Sequence, residues 1–321
     1  MNKRKLGTTT LEITPLGFGA WALGGGGWEF GWGPQDDQQS IGAIHRALDL
    51  GINWIDTAAA YGLGHSEEVI GRALKGRSSR PYIFTKGGVV PNGNRDLVRV
   101  LKADSIRREI EASLRRLAVD AIDLYQIHWP NEDVEEAWRA LADAQAAGKV
   151  RWVGVSNFDV PQIEAVEKIA HVNTLQPPYS LLSRDAEKDL LPYCEQRQIG
   201  VIVYSPMASG LLSGAMTRER IATLPADDWR RSRSPWFQEP QLTQNLKLAE
   251  LLNQIGLQYD RSAGEVAIAW TLRNPAVAGA IVGIRAPHQL EGIIGAPDFQ
   301  LSDKDLQRIE RHFARRATDA A

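Results

Sequence analysis

Four polar side chains stand at the ends of three consecutive β-rich segments of the sequence. Asp56 ends the first segment, and Tyr61 follows it after a loop of small residues. Lys86 and His128 come directly after the second and third segments. The parallel strands of a closed αβ barrel present their catalytic side chains at the carboxyl ends of the strands. We therefore expect Asp56, Tyr61, Lys86 and His128, named here the tetrad, to meet at one site.

The tetrad has the groups needed to protonate a carbonyl oxygen as it becomes an alkoxide. Tyrosine has an ordinary pKa of about 10, so we expect Lys86 beside Tyr61 to lower the pKa of the phenol, with Asp56 balancing the lysine. His128 can orient the carbonyl oxygen with a hydrogen bond or relay a proton. Each side chain alone has an ordinary structural explanation, such as a helix cap for the aspartate. The coincidence of all four at successive strand ends favours catalysis.

The carbonyl carbon also needs a nucleophile, and the sequence has no Ser-His pair, nucleophile elbow or reactive-cysteine motif. No spacing of His, Cys and carboxylate side chains predicts a metal site. Hydride from a nicotinamide would complete the chemistry, although the Gly-x-Gly-x-x-Gly fingerprint is absent. The segments Tyr204–Gly214 and Gly283–Arg285 follow predicted strands seven and eight, where this barrel usually binds phosphate.

Strand-like and helix-like segments alternate along the chain. The eight predicted strands are Leu16–Trp21, Ile52–Asp56, Tyr82–Lys86, Ile122–His128, Val150–Ser156, Val172–Gln176, Gly200–Tyr204 and Ala278–Val282. The intervening helices include Pro161–Ala170 and Asp185–Gln196. This alternation predicts an α/β fold, a (β/α)8 TIM barrel in which residues 1–321 form a single domain.

Two further segments are expected at opposite ends of this barrel. Lys3–Leu6 and Leu11–Thr14 flank a turn and predict an N-terminal β-hairpin. Residues 213–241 lack clear periodicity and hold three aromatic residues and several arginines. We interpret this segment as an insertion near the barrel mouth, one of several long loops over the C-terminal face.

The composition predicts a globular protein of a reducing compartment. Of 321 residues, 43% are hydrophobic and 24% charged, and the net charge of −2 gives no reason to expect nucleic acid or a membrane as partner. The single cysteine, Cys194, excludes an intramolecular disulfide. We find no signal peptide and no apolar run of about 20 residues, so we expect a cytoplasmic protein. The oligomeric state stays open, with a monomer possible.

Several motifs resemble those of one known family. The pattern Ile-Asp-Thr-Ala-x-x-Tyr-Gly-x-Gly-x-Ser-Glu occupies Ile55–Glu67. Further matches are Asp123–Pro130, Gly154–Phe158, Gln176–Tyr179 and Gly210–Gly214. On these residues the chain resembles the aldo-keto reductase superfamily, and most of all its bacterial NADP-dependent branch.

The resemblance implies an NADPH-dependent reductase of aldehydes or ketones, acting reversibly, with the tetrad as catalytic residues and Tyr61 as proton donor. The cofactor residues that it implies are Trp21, Ser156, Asn157, Gln176, Tyr204, Ser205, Met207, Gly210, Leu211, Ser213, Gly283, Arg285, Gln289 and Glu291. Among these, Ser156, Asn157 and Gln176 hold the carboxamide, and Tyr204 stacks on the nicotinamide. The substrate pocket is expected to be built by Trp21, Trp129, Trp28, Trp32 and Trp236.

Two points stay open at the level of sequence. Val282 and Ala286 depart from the pattern of many relatives around Arg285, so NAD(H) is possible in place of NADP(H). Barrels that resemble this family also occur as regulatory subunits of ion channels. The alternative to an enzyme is therefore a redox sensor that binds NADP(H) and turns over slowly. The substrate is expected to be a small carbonyl compound, whose identity the sequence does not give.

Overall fold

The computed structural model describes residues 1–92, 94 and 96–319, with side chains described up to residue 315. Its strands are β1 (Arg4–Lys5), β2 (Glu12–Ile13), β3 (Leu16–Gly19), β4 (Trp54–Asp56), β5 (Tyr82–Gly87), β6 (Val89–Pro91), β7 (Leu97–Arg99), β8 (Ile122–Ile127), β9 (Val150–Ser156), β10 (Thr174–Gln176), β11 (Gly200–Tyr204) and β12 (Val277–Gly283). Its helices are α1 (Asp37–Asp49), α2 (His65–Leu74), α3 (Ala103–Leu117), α4 (Val134–Ala146), α5 (Val160–Glu167), α6 (Leu190–Arg197), α7 (Arg218–Ala222), α8 (Trp229–Ser232), α9 (Gln241–Gly256), α10 (Ala263–Leu272) and α11 (Asp303–Asp319).

Eight parallel strands close into a barrel in the order β3-β4-β5-β8-β9-β10-β11-β12, which confirms the predicted (β/α)8 fold. The inner side chains near the amino ends of the strands are large and apolar, with Trp54, Phe84, Leu124 and Ile202 packed in one cluster. Because strand side chains alternate between faces, the residues two positions on also face the interior. This alternation places polar side chains such as Lys86 inside the barrel at its carboxyl end.

The N-terminal hairpin is present as predicted, with β1 antiparallel to β2, and it covers the amino end of the barrel. Leu6, Leu11 and Ile13 pack into the inner apolar cluster. Gly7 has a φ of +55°, and a Cβ there would lie 2.3 Å from the backbone nitrogen of Gly200, so only glycine fits. The hairpin therefore closes the amino end of the barrel with apolar side chains, and the polar carboxyl end is open.

Helix ends follow the local capping chemistry, with two corrections. The helix expected over Asp185–Gln196 begins at Leu190, because Asp189 caps the amide of Leu190 and interrupts the helical backbone. The helix expected to run to Ala170 ends at Glu167. The helical spacing of apolar residues in the sequence continues across such interruptions. The sequence pattern therefore predicts a longer helix than the structure contains.

The loops at the carboxyl end hold structure that periodicity did not reveal. An antiparallel hairpin, β6–β7, follows β5 and was not predicted. Residues 213–241 contain the short helices α7 and α8, which begin at the capping residues Thr217 and Asp228. Elements of three to five residues are too short for a helical or strand period to be recognised. Within the described residues, no helix has the length and apolar character needed to cross a bilayer.

Candidate functional site

The tetrad converges at the carboxyl end of the barrel around one buried ammonium group. Lys86 Nζ donates hydrogen bonds to Asp56 Oδ1 at 2.7 Å, to the Thr57 carbonyl at 2.8 Å and to Tyr61 Oη at 3.2 Å. These bonds use all three protons of the ammonium group. Asp56, Tyr61, Lys86 and His128 are each at most 7% exposed. The structure thus joins residues from three strand ends in one hydrogen-bonded and stacked group.

The turn after β4 holds the Tyr61 ring against the glycine-rich loop that follows β3. Gly62 has a φ of +59°, and a Cβ there would lie 2.3 Å from the carbonyl oxygen of Gly24. Glycine at this position allows the two backbones to touch. The tyrosine ring then packs 5.1 Å from the ring of Trp21 and 6.1 Å from that of Trp28, measured between centroids.

The Tyr61 phenol is held in its protonated form. Burial raises its pKa well above the ordinary value, and the nearby Asp56 carboxylate raises it further. Any lowering of this pKa by Lys86 is thus outweighed by burial and by Asp56, and the net change is upward. Burial also raises the pKa of Asp56 and lowers that of Lys86, while their mutual attraction opposes both changes.

His128 is a neutral imidazole beside the phenol. Burial, and then the charge of Lys86, lower its pKa well below the ordinary value. Its ring meets the Tyr61 ring edge-on at 5.7 Å, and its Nδ1 is buried with no hydrogen-bond partner among the described residues. Its backbone carbonyl accepts a hydrogen bond from Asn157 Nδ2 at 2.9 Å. A neutral ring has one N–H to donate and one nitrogen to accept.

The residues expected to hold the carboxamide form a hydrogen-bonded group next to the tetrad. Gln176 Nε2 donates to Asp56 Oδ2 at 2.8 Å, and Ser156 Oγ donates to the Gln176 carbonyl at 2.9 Å. Tyr204 Oη donates to Asn157 Oδ1 at 2.7 Å. Asn157 adopts a left-handed backbone with a φ of +64°. Such strain in a residue at a cavity wall is typical of functional sites.

The loop after β11 borders the same cavity. Ser205, Ala208, Ser209 and Gly210 all have positive φ between 48° and 89°. Turns of this kind can present backbone amides to an anion; in this loop the amides of Ala208 and Gly210 donate to the carbonyls of Ser205 and Met207. Of the residues expected here, Ser205, Met207, Gly210 and Ser213 line the cavity. Leu211 does not line it, because its side chain is buried in the core.

At the far end of the cavity, Arg285 joins the loop after β12 to the glycine-rich loop. Its guanidinium donates to Gln35 Oε1 at 2.7 Å, to the Pro34 carbonyl at 2.6 Å and to the Trp32 carbonyl at 3.4 Å. All three acceptors are neutral oxygens. Gln289 Oε1 in turn accepts the backbone amide of Arg285 at 2.7 Å.

Two further arginines, missed by the sequence reasoning, extend this positive end; Arg220, Arg230 and Arg285 are named here the arginine cluster. Arg230 stacks 4.4 Å from the Trp32 ring centroid and pairs with buried Asp228 at 2.7 Å. Burial, and then the charges of Arg230 and Arg220, lower the pKa of Arg285. Within the described part of the chain, no carboxylate forms an ion pair with Arg220 or Arg285.

One cavity of about 990 Å³ connects the tetrad to the arginine cluster. The expected lining residues Trp21, Trp28, Trp32, Trp129, Trp236, Gly283, Arg285 and Gln289 all border it. Glu291 does not, and its side chain is exposed to solvent instead. Trp32 lies against Arg230, and so at the opposite end from the tetrad.

The β6–β7 hairpin supplies the other wall of the substrate end. Val89, Leu97 and Arg99 line the cavity, although no local signal in the sequence had assigned them a role. The Arg99 guanidinium lies 5.0 Å from the centroid of the Trp129 ring, which is 37% exposed. The only sequence signal for this wall is the segment Leu97-Val98-Arg99, a short apolar pair followed by an arginine. Such segments are too common to predict a functional residue.

Comparisons with known proteins agree on one family. Residues 15–314 match the family described as the aldo/keto reductase family. Aldo-keto reductase YhdN of Bacillus subtilis (strain 168) is 37% identical over 314 residues, which cover 96% of this chain and 92% of that protein. The NADH-specific methylglyoxal reductase of Escherichia coli (strain K12) is 34% identical over 321 residues, covering 95% and 96% of the two chains.

Solved structures show the same likeness. The glycerol dehydrogenase AKR11B4 from Gluconobacter oxydans superposes with a TM-score of 0.88 at 36% sequence identity. The superposition covers 98% of this chain and 95% of that one. The fold is thus shared over nearly the whole length of both chains.

Proposed function

Since the chain belongs to the aldo/keto reductase family, a family of oxidoreductases, we propose that it reduces aldehydes or ketones to alcohols with NADPH and that Tyr61 is the proton donor. The reaction is reversible: in the other direction the alcohol would give its proton to the phenolate of Tyr61 and its hydride to NADP⁺. The observation that carries the proposal is the hydrogen bond of 3.2 Å from Lys86 Nζ to Tyr61 Oη inside a buried, charge-balanced group.

This hydrogen bond supports Tyr61 as the group that donates the proton. Because Lys86 donates to Tyr61 Oη, the phenolic O–H is left to point at an acceptor in the cavity. The raised pKa keeps that proton in place until an alkoxide develops beside it. When the proton has left, the ammonium at 3.2 Å stabilises the phenolate, so the same lysine serves both states.

His128 orients the carbonyl group. Its imidazole is neutral over the physiological range and packs edge-on against the Tyr61 ring. A neutral imidazole N–H donates to the carbonyl oxygen without placing a second proton donor of low pKa at the site. The substrate oxygen is thereby held between the imidazole and the phenol, and aromatic walls exclude water from it.

The residues along the cavity fit a nicotinamide dinucleotide. Amide and hydroxyl groups adjoin the tetrad, the positive-φ loop Ser205–Gly210 follows, and the arginine cluster lies at the far end. The N-terminus of α10 also faces this end, where Ser262 and Gly264 line the cavity. In this order the groups would contact the nicotinamide carboxamide, the pyrophosphate and the phosphorylated adenosine of NADP(H). When bound, the cofactor supplies hydride to the carbonyl carbon.

The arginine cluster favours NADP(H) over NAD(H). Two of its three guanidinium groups have no carboxylate partner among the described residues, so a phosphate dianion would balance charges that the protein leaves unbalanced. Family membership alone does not decide the point, because the Escherichia coli relative is named NADH-specific.

Fluorescence titration of the protein with NADPH and NADH, followed by addition of small aldehydes, tests the proposal. We expect tighter binding of NADPH and its oxidation on addition of an aldehyde. Tight binding without oxidation across the panel would favour the slow-turnover redox sensor. No binding of either dinucleotide would contradict both functions.

A further inference from the structure

We propose that the substrate end of the cavity selects carbonyl compounds that carry a carboxylate, and that Arg99 binds this carboxylate. The inference rests on the proposed function, because it assigns a substrate class to the same site. It is carried by the position of Arg99, by the orientation of its guanidinium and by the charge of the cavity wall.

The β6–β7 hairpin places Arg99 on the face that borders the tetrad. Arg99 pairs with Val89 across the hairpin, and both line the cavity. Leu97, two residues earlier on the same strand, packs against the group formed by Trp28, Ala58 and Tyr61. Residues two apart on a strand share a face and lie about 7 Å apart. Arg99 and Leu97 therefore border the same side of the cavity as Tyr61.

The guanidinium is oriented but not neutralised. It stacks 5.0 Å from the centroid of the Trp129 ring, and Nη1 donates to the Pro130 carbonyl at 3.3 Å. In the described ranges, no carboxylate forms an ion pair with it. Stacking fixes the plane of the fork, and the N–H groups beyond Nη1 remain for a ligand. A planar fork held in this way matches the two oxygens of a carboxylate.

The charge of the lining directs an anion to Arg99. The described lining residues include four arginines but a single carboxylate, Asp56, which is already bonded to Lys86 and Gln176. Three of the arginines belong to the arginine cluster at the other end. Arg99 is the fourth lining arginine, and it lies on the hairpin at the substrate end. A negative substituent at the substrate end therefore meets the guanidinium of Arg99. The nearby carboxylate of Glu29 does not line the cavity, accepts the backbone amide of Leu97 and is paired with Arg233.

The aromatic walls fit the part of the substrate between the two polar groups. Trp21, Trp28 and Phe30 stack with one another next to Tyr61, with ring centroids 5.5 to 6.3 Å apart. Leu97 completes this apolar surface on the hairpin side. An aldehyde held at the tetrad and a carboxylate held at Arg99 would span this surface with an apolar linker.

The test compares matched substrates on matched variants. Wild type, Arg99→Lys and Arg99→Met are assayed with NADPH on 4-formylbenzoate against benzaldehyde, and on succinate semialdehyde against butanal. We expect the ratio of kcat/KM for charged over neutral substrate to fall about 10- to 100-fold in Arg99→Met, through KM. Arg99→Lys should lie between the two, and added salt should reduce the wild-type ratio.

Controls separate this inference from the proposed function. Arg139→Met, on the exposed face of α4, should leave the ratio unchanged. The NADPH dissociation constant should stay within about twofold in all three variants, which shows that the folded cofactor site is intact. A ratio that is unchanged in Arg99→Met, or a wild type that prefers the neutral aldehydes, would overturn the assignment of Arg99. Wild type that oxidises NADPH with neither class would instead contradict the proposed function.

Discussion

The two ends of the cavity differ in how far their charged side chains are paired within the protein. At the tetrad, the ammonium of Lys86 is 1% exposed and has its carboxylate at 2.7 Å, with every proton of the ammonium donated. At the arginine cluster, Arg230 alone among its three members has a carboxylate partner within the described residues, and the hydrogen bonds of the Arg285 guanidinium go to neutral oxygens. Charge is balanced by ion pairing at the first end, whereas Arg220 and Arg285 at the second end are not paired with a carboxylate of the described chain.

This difference matches the two tasks that the proposed function gives to the cavity. Efficient proton transfer requires groups whose protonation states and positions are set by the protein and not by exchange with solvent. Burial and internal ion pairing give the tetrad that property. Binding a dinucleotide requires an affinity that depends on the ligand's own charge. Removing a group should therefore damage catalysis or stability at the tetrad, and cofactor discrimination at the arginine cluster.

The largest effect is expected from Tyr61→Phe. Loss of the phenolic proton should lower kcat/KM for aldehyde reduction by about 10²- to 10⁴-fold, while the NADPH dissociation constant changes by less than about threefold. Steady-state kinetics and fluorescence titration measure the two quantities. Tyr259→Phe, at the surface near Asp305, is the matched control and should retain full activity. A Tyr61→Phe variant with more than about a tenth of wild-type activity would exclude Tyr61 as donor.

Lys86→Met should destabilise the fold as well as abolish activity. The change leaves the Asp56 carboxylate buried without its ammonium partner, which costs about 3–5 kcal/mol of unfolding free energy. Urea denaturation measures the loss. Asp56→Asn in the same chain should recover part of that stability but no activity.

The matched control for Lys86 is Lys102→Met, which removes an exposed ammonium from Asp133 and Glu136. It should leave the denaturation midpoint almost unchanged, because water screens that pair. Equal losses in the two variants would show that the balance of charge at the tetrad has no special value for the fold.

Arg285→Met should raise the NADPH dissociation constant about 10- to 100-fold and leave that of NADH within about threefold. Arg220→Met should give a smaller change in the same direction, since its side chain is exposed. Arg218→Met, which removes an exposed ion pair to Glu239 from the same helix as Arg220, is the control. Equal losses for both dinucleotides would mean that Arg285 acts by holding residues 32–35.

The smallest effect expected is a pH dependence of stability through His128. Its pKa is lowered in the folded protein, so below about pH 6.5 the unfolded chain binds a proton that the folded chain does not. Its contribution to stability therefore falls as the pH falls, by up to about 1.4 kcal/mol per pH unit. Denaturation between pH 7 and 5 should show a shallower fall in His128→Gln. Parallel curves would contradict a neutral buried imidazole.

Much of the barrel and of the tetrad could be predicted because both depend on short-range patterns. Strands β9 and β11 begin and end at the predicted residues, since each is a short segment rich in β-branched residues. Asp56, Lys86 and His128 follow such runs directly, and parallel strands bring their carboxyl ends together. The β6–β7 hairpin was missed because each of its strands has three residues.

The sequence by itself determined the strand order, the residues at the strand ends and the family motifs. Only the tertiary structure decided the protonation of Tyr61, the pairing of Arg285 with the glycine-rich loop, and the convergence of Arg99, Arg220 and Arg230 on one cavity. The physical reason is range. Strand and helix patterns repeat over a few residues, whereas burial and hydrogen bonding join groups that are far apart in the chain, such as Gln35 and Arg285, which are 250 positions apart.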